Sequence, residues 1–313
     1  MKKKIVLFLS VILICITFTS VTAKTIASFK RGQYMLGPDI QFSPDGKSIA
    51  FIAKDGKKYY GPSYLYTGSS ISGSFKKVFN DPVDQYVWKS SSEIIFSIKE
   101  KDSVTVKSGN PGTGKSIILF TRKLQMKGSG YTRGYENFTI KAISPSGEFV
   151  IVEKDKGACV LVHIPDAKEI ALEDFSIPYS GNPSSTLRFS GNSKRLLLFD
   201  GKDRKYRLYE VSLSGLKLLK KIGKIKNIIP GSDYLINDEG AEIIFTEEKC
   251  KGGCYHIVYI YNIMEDRLYE NIKIKSGQIL RVAFDRRFKV AVINDMHQSI
   301  KIFILKKKGK ELK

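Results

Sequence analysis

Apolar and polar positions alternate along this chain in short bursts. The apolar runs span roughly four to seven residues, and clusters of Gly, Pro, Ser, Asn and Asp separate them. No long 3.6-residue periodicity interrupts this pattern, which predicts strands and turns rather than helices. One phrase recurs. Residues 39–53, built around Phe42-Ser-Pro-Asp-Gly-Lys-Ser-Ile-Ala-Phe51, read as a strand, a tight turn and a second strand. Pro44 and Gly46 supply the turn geometry, and β-branched and aromatic residues flank them.

Ile140 to Val152 keeps the same turn, and Leu187 to Phe199 keeps the pattern with Gly191 and Asn192 as turn formers. Leu235 to Phe245 is a fourth copy, and Tyr86 to Phe96 and Val282 to Val292 are weaker ones. The large residue ahead of each turn falls at Phe42, Trp88, Ile143, Phe189, Ile236 and Phe284, roughly 46 to 55 residues apart. That spacing is the period of a four-stranded propeller blade. Ser70 to Lys77, Thr113 to Lys115, Ser212 to Lys220 and Met264 to Asp266 fall at the turns into outer strands. The expected fold is therefore all-β: a six-bladed β-propeller of four-stranded antiparallel blades, one domain over residues 24–313. The last repeat lacks an outer strand, and Thr25 to Phe29 has β composition. Pairing it there would close the ring with the N-terminal strand and remove an open sheet edge.

The Phe42–Phe51 phrase, repeated at this spacing over residues 37–305, resembles the WD-repeat-like β-propeller of the TolB family. The propellers of prolyl oligopeptidase and dipeptidyl peptidase IV carry similar repeats. The resemblance implies the fold and little about function. No α/β domain precedes the repeats as in TolB, and no hydrolase domain follows them as in the peptidases. Neither a Pal-binding role nor peptidase activity carries over.

Residues 1–23 stand apart from the repeats. Lys2, Lys3 and Lys4 precede the apolar run Ile5 to Phe18, and Val21-Thr22-Ala23 ends in a small residue. This is the pattern of a secretory signal peptide, with cleavage expected after Ala23. The run is short for a bilayer span, and no other segment approaches membrane length. The mature chain is expected to work outside the cytoplasm, in the periplasm or secreted, as a monomer.

Gly109 to Ser116 fits the Walker A pattern letter for letter, and Leu196 to Asp200 fits a Walker B strand. A phosphate loop must open a helix, yet Ile117 to Phe120 is a β-type run. The match is expected to be a turn, so no nucleotide and no cofactor is expected. Cys250 and Cys254 flank three residues between two strands, a spacing that suits a hairpin disulfide in an oxidising compartment. A metal site with His256 has too few ligands. Cys159 lies in an apolar stretch and is expected to be a buried thiol. His163, His256 and His297 belong to different repeats, and neither a Gly-x-Ser-x-Gly elbow nor a His-Glu-x-x-His motif is present.

Charge bears on the choice of partner. Against 52 Lys and Arg stand 31 Asp and Glu, a formal balance of +21, and 42% of the chain is hydrophobic. Lys217, Lys220, Lys221 and Lys224 form one cluster, and Lys306, Lys307 and Lys308 another. Such residues guard exposed strand edges, and they also attract anionic surfaces. In an exported chain that surface is a protein or an envelope polymer rather than nucleic acid. The function expected is a non-enzymatic, macromolecule-binding scaffold with an anionic partner. The alternative is a lyase or hydrolase acting on an exported polymer, its site assembled at the central channel.

Overall fold

A computed structural model describes residues 24–28, 34–55, 61–129, 134–155, 158–172, 186–200, 205–223, 225, 234–250, 254–275, 279–284, 289–294, 299–304 and 310–312. Residues 1–23, expected to be a signal peptide, lie outside them. A first strand, β1 (Lys24–Ser28), precedes the repeats. Blade 1 consists of β2 (Tyr34–Phe42), β3 (Ser48–Asp55), β4 (Ser63–Ser69) and β5 (Phe75–Lys77). Blade 2 consists of β6 (Gln85–Ser90), β7 (Glu93–Lys99), β8 (Ser103–Gly109) and β9 (Ser116–Lys123). A small ribbon of β10 (Met126–Lys127) and β11 (Gly134–Tyr135) accounts for the longest interval between repeats.

Blade 3 runs β12 (Phe138–Ile143), β13 (Phe149–Lys154), β14 (Cys159–His163) and β15 (Lys168–Ala171). Blade 4 runs β16 (Thr186–Phe189), β17 (Arg195–Asp200), β18 (Lys205–Ser212) and β19 (Gly215–Ile222). Blade 5 runs β20 (Tyr234–Ile236), β21 (Glu242–Cys250), β22 (Cys254–Asn262) and β23 (Arg267–Lys275). Blade 6 holds β24 (Ile279–Phe284), β25 (Lys289–Asn294) and β26 (Ser299–Ile304). A last strand, β27 (Lys310–Leu312), follows.

Every pairing is antiparallel between neighbours in the chain, with two exceptions. In the first, β1 completes blade 6: Lys24 lies opposite Ile302 and Ser28 opposite Ser299. The expected closure by the N-terminal strand is therefore present. In the second, β27 adds to β23, with Leu268 opposite Leu312 and Glu270 opposite Lys310. This corrects the expectation of four strands in every blade. Among the described residues, five blades have four strands and blade 5 has five. The inner strands approach one another in a closed cycle, β2 to β6, β12, β16, β20, β24 and back to β2.

The core lies between blades, and it explains the unbroken apolar runs of the second strands. Successive strand residues face opposite sides, and here both sides are covered. In β17, Leu196 and Leu198 pack with Phe149, Ile151 and Leu161 of blade 3. Leu197 and Phe199 pack with Ile243, Phe245 and Tyr259 of blade 5. Blades 2 and 3 meet through Ile95, Val106, Val150 and Val152, and blades 1 and 2 through Ala50, Leu65, Trp88 and Ile94. Fully burying one such aliphatic side chain is worth about 1.5–3 kcal/mol. From blade 1 to blade 5 the described interfaces are thus of one kind, each an apolar layer shared by two blades.

The recurrent turn has one mechanism. A hydroxyl or amide oxygen at its first position accepts the backbone N–H that restarts the next strand. Ser43 Oγ takes the N–H of Ser48 at 2.9 Å, Ser144 Oγ that of Phe149 at 2.9 Å, and Ser190 Oγ that of Arg195 at 3.0 Å. Asn237 Oδ1 does the same for Glu242 at 3.1 Å. The fourth turn residue is left-handed, at Gly46, Gly147 and Gly240, while Ser193 holds φ 63° in blade 4.

Candidate functional site

The Walker-like segment is a hairpin turn between β8 and β9. Its backbone donors are already occupied. Asn110 Oδ1 accepts from Gly112 N at 2.8 Å and Thr113 N at 3.1 Å, and Thr113 Oγ1 accepts from Lys115 N. A phosphate would have to displace the turn's own bonds. Leu196 to Asp200 belongs to β17, as the repeat requires.

Among the lysines, Lys217, Lys220 and Lys221 fall on β19, the outer strand of blade 4. Lys217 and Lys221 are exposed and have no ion pair among the described residues. Lys220 departs from the expectation of a surface contact. Its ammonium donates to the Ile263 carbonyl at 2.7 Å, half-buried against the β22–β23 turn of blade 5. Leu218 and Leu219, each 41% exposed, complete an amphipathic edge with Lys217 and Lys221. Lys224, Lys306, Lys307 and Lys308 lie outside the described residues.

Cys250 and Cys254 end β21 and begin β22, opposite one another in register. Cys159 is buried between blades 3 and 4. His163 closes β14, its Nδ1 2.7 Å from Asp166 Oδ1, and His256 is buried within β22. His297 lies outside the described residues. Near the inner strands, polar groups pair with one another. Gln41 Nε2 donates to the Tyr86 carbonyl at 3.0 Å, Lys99 to Thr139 Oγ1 at 3.1 Å, and Lys141 pairs with Glu153. Burial pushes the Asp84 carboxyl above its usual range, against the pull of Lys99 and Lys141. Among the described residues, no group of three or more His, Cys, Asp and Glu could hold a metal ion. No helix there is long and apolar enough to cross a membrane.

A cleft of about 530 Å³ opens between blades 1 and 2. Blade 1 contributes Ser48, Thr67 and the β4–β5 turn through Phe75, and blade 2 contributes Trp88, Ser92 and Asn110. Trp88 is 4% exposed, and its indole N–H is buried without an acceptor among the described residues. The sequence points to Trp88 only as a strand marker. The chain's single Trp beside a Ser-rich turn is the one local signal that could have drawn attention to it.

No protein-family model matches the chain, and no curated protein matches it in sequence. Solved structures do. The β-propeller domain of Cps50 (Swd1) from Myceliophteria thermophila aligns over 91% of this chain and 100% of that one, with TM-score 0.54 and 12% identity. The fold is a β-propeller. A Bacteroides thetaiotaomicron protein of unknown function aligns over 91% of this chain and 76% of its own, with TM-score 0.55 and 11% identity. TolB from Acinetobacter baumannii aligns over 87% of this chain and 64% of its own, with TM-score 0.47 and 12% identity.

Proposed function

We propose that this protein is an exported, monomeric, non-enzymatic scaffold that holds an anionic macromolecule, protein or polymer, on a rigid propeller. The observation that carries the reading is the β19 edge, where Leu218 and Leu219 stand exposed beside Lys217 and Lys221. An outer strand offers a row of backbone donors and acceptors, and partners add to such edges. Apolar side chains give the contact area, and the two ammonium groups favour a partner with carboxylates, sulfates or phosphates. Blade 5 supports the reading from within the chain, because β27 covers the corresponding edge there. Cleavage after Ala23 removes Lys2, Lys3 and Lys4 from the balance of +21, and the +18 that remains raises the local concentration of polyanions at long range. Export is supported by the signal pattern, and cleavage after Ala23 keeps the described ring-closing strand β1 (Lys24–Ser28) in the chain.

The test is affinity capture by the mature chain from its own secreted or envelope fraction at about 0.05 and 0.5 M salt, where screening differs severalfold. An acidic partner should be retained at low salt and lost at high salt, and Lys217→Glu/Lys221→Glu should reduce its capture about tenfold. Capture that ignores both salt and charge reversal would overturn the reading, as would recovery of no partner at either salt.

A further inference from the structure

We propose that the cleft between blades 1 and 2 binds a saccharide. This site is separate from the β19 edge and does not depend on the reading of that edge. It lies where the β2–β3 and β4–β5 turns of blade 1 meet the β6–β7 and β8–β9 turns of blade 2. Inside, the two blades are sealed by Ala50, Leu65, Trp88 and Ile94. Toward the turns the lining becomes hydroxyl and amide groups. The volume lies in the range of small-molecule sites, roughly 300–1,000 Å³.

The chemistry of the lining selects the ligand. Five polar groups have no partner among the described residues: the hydroxyls of Ser48, Thr67 and Ser74, the Asn110 Nδ2 amide and the Trp88 indole N–H. Two of these only donate, and the three hydroxyls either donate or accept. Thr67 and Trp88 are both more than nine-tenths buried. Only the Trp88 N–H is enclosed without a partner; the other four groups reach solvent, and an apolar ligand would take them out of water with nothing to bond. Lys76 is the lining's one charged side chain, so a multiply charged anion finds little to neutralise it. The Asn110 turn, with its amides committed, adds no phosphate cradle. What fits is a compact neutral molecule with several hydroxyl and ether oxygens and an apolar face for Phe75, with the edge of Trp88 beneath it. A sugar ring has that form.

Trp88 also supplies the readout, since it is the chain's single Trp. The mature chain is titrated with maltotetraose, cellotetraose and the N-acetylglucosamine tetramer, and with glucose and N-acetylglucosamine, while Trp88 emission is followed. At least one of these five sugars should give a saturable change, with a midpoint that moves less than about twofold between low and high salt. Thr67→Val keeps shape and β-propensity, Ser74→Ala is an exposed change, and each should raise the midpoint about tenfold. A tetramer that binds more tightly than its monomer identifies a polymer segment as the ligand, and equal midpoints identify a free sugar. No saturable change with any of the five up to about 10 mM overturns the proposal. So does a midpoint that both variants leave unmoved while their melting transitions show them folded.

Discussion

The Tyr86 hydroxyl on the inner strand of blade 2 donates to the Ala50 carbonyl on the second strand of blade 1, at 2.7 Å. Tyr234 of blade 5 repeats the bond to the Leu197 carbonyl of blade 4, at 2.9 Å. The acceptors are equivalent, since Ala50 lies opposite Gln41 and Leu197 opposite Arg188, each one residue before the end of its inner strand. Both bonds are buried and both tie one blade to the next. Each of Tyr86→Phe and Tyr234→Phe should cost about 1 kcal/mol, the net worth of a neutral buried bond. The two sites share no partner, so the double variant should cost about 2 kcal/mol in urea unfolding. A double variant no worse than either single one would show that the bonds do not act separately.

Blades 2 and 3 are joined at their rim by charge. Arg122 reaches Glu136 at 3.2 Å, pairs with Glu169, and stacks over the Phe138 ring at 4.9 Å. Glu136 has only 10% of its side chain exposed, and its other cation, Lys127, is 4.0 Å away. Arg122→Leu strands that carboxylate and should cost about 2–4 kcal/mol, because removing one partner of a buried pair is far worse than removing both. Adding Glu136→Leu should recover most of the loss. Thermal melts of the two variants measure the difference.

The repeats were legible because their chemistry is local. Ser43, Pro44 and Gly46 announce a turn within five residues, and the Leu196–Phe199 run announces a strand covered on both faces. Features built from distant residues were not legible. Lys220 resembles its neighbours in composition, and only the fold brings it to the Ile263 carbonyl. Lys310–Leu312 is too short to show alternation and sits among lysines, so its pairing with β23 had no sequence signal. The cleft draws Thr67, Trp88 and Asn110 from two blades, and spacing along the chain encodes no such convergence.

The Ser108 hydroxyl, with Lys89 behind it, holds the Glu93 carboxyl below its ordinary value of 4.5. A depressed carboxylate adds stability that is fully present above the unfolded value and is lost as pH falls through the folded one. Ser108→Ala should therefore destabilise the chain at pH 7, by less than about 1 kcal/mol since Glu93 is partly exposed. The gap between variant and parent should shrink below pH 4.5 and close in more acid solution. Denaturant midpoints taken across that range follow it, and a gap independent of pH would point to packing instead.

Cys250 and Cys254 occupy paired positions across the β21–β22 hairpin. Opposite residues of antiparallel strands have Cα atoms about 4.5–5.5 Å apart, within the span a disulfide bridges. We propose that the chain carries this bridge in an oxidising compartment. A loop so short adds only about 2 kcal/mol. Unreduced mass spectrometry should find the peptide lighter by two hydrogens and resistant to alkylation until reductant is added. Both cysteines alkylating without reductant would sink the idea.

Ser193 occupies the left-handed turn position that Gly46, Gly147 and Gly240 fill elsewhere. A side chain there is strained by about 1 kcal/mol relative to glycine. What opposes that strain is a bond to the neighbouring blade: Ser193 Oγ accepts the backbone N–H of Ser146 at 2.9 Å. Such a bond is worth about 1 kcal/mol, so the two terms nearly cancel and serine is tolerated. Two substitutions separate them. Ser193→Gly loses the bond and the strain together, and should leave stability within about 0.5 kcal/mol of the parent. Ser193→Ala loses the bond but keeps the strain, so it should be about 1 kcal/mol less stable than the glycine variant. Urea midpoints of the three chains decide the matter: alanine equal to glycine would mean that the left-handed conformation costs nothing here, and glycine well below the parent would mean that the blade 3–blade 4 bond is worth more than the strain it offsets.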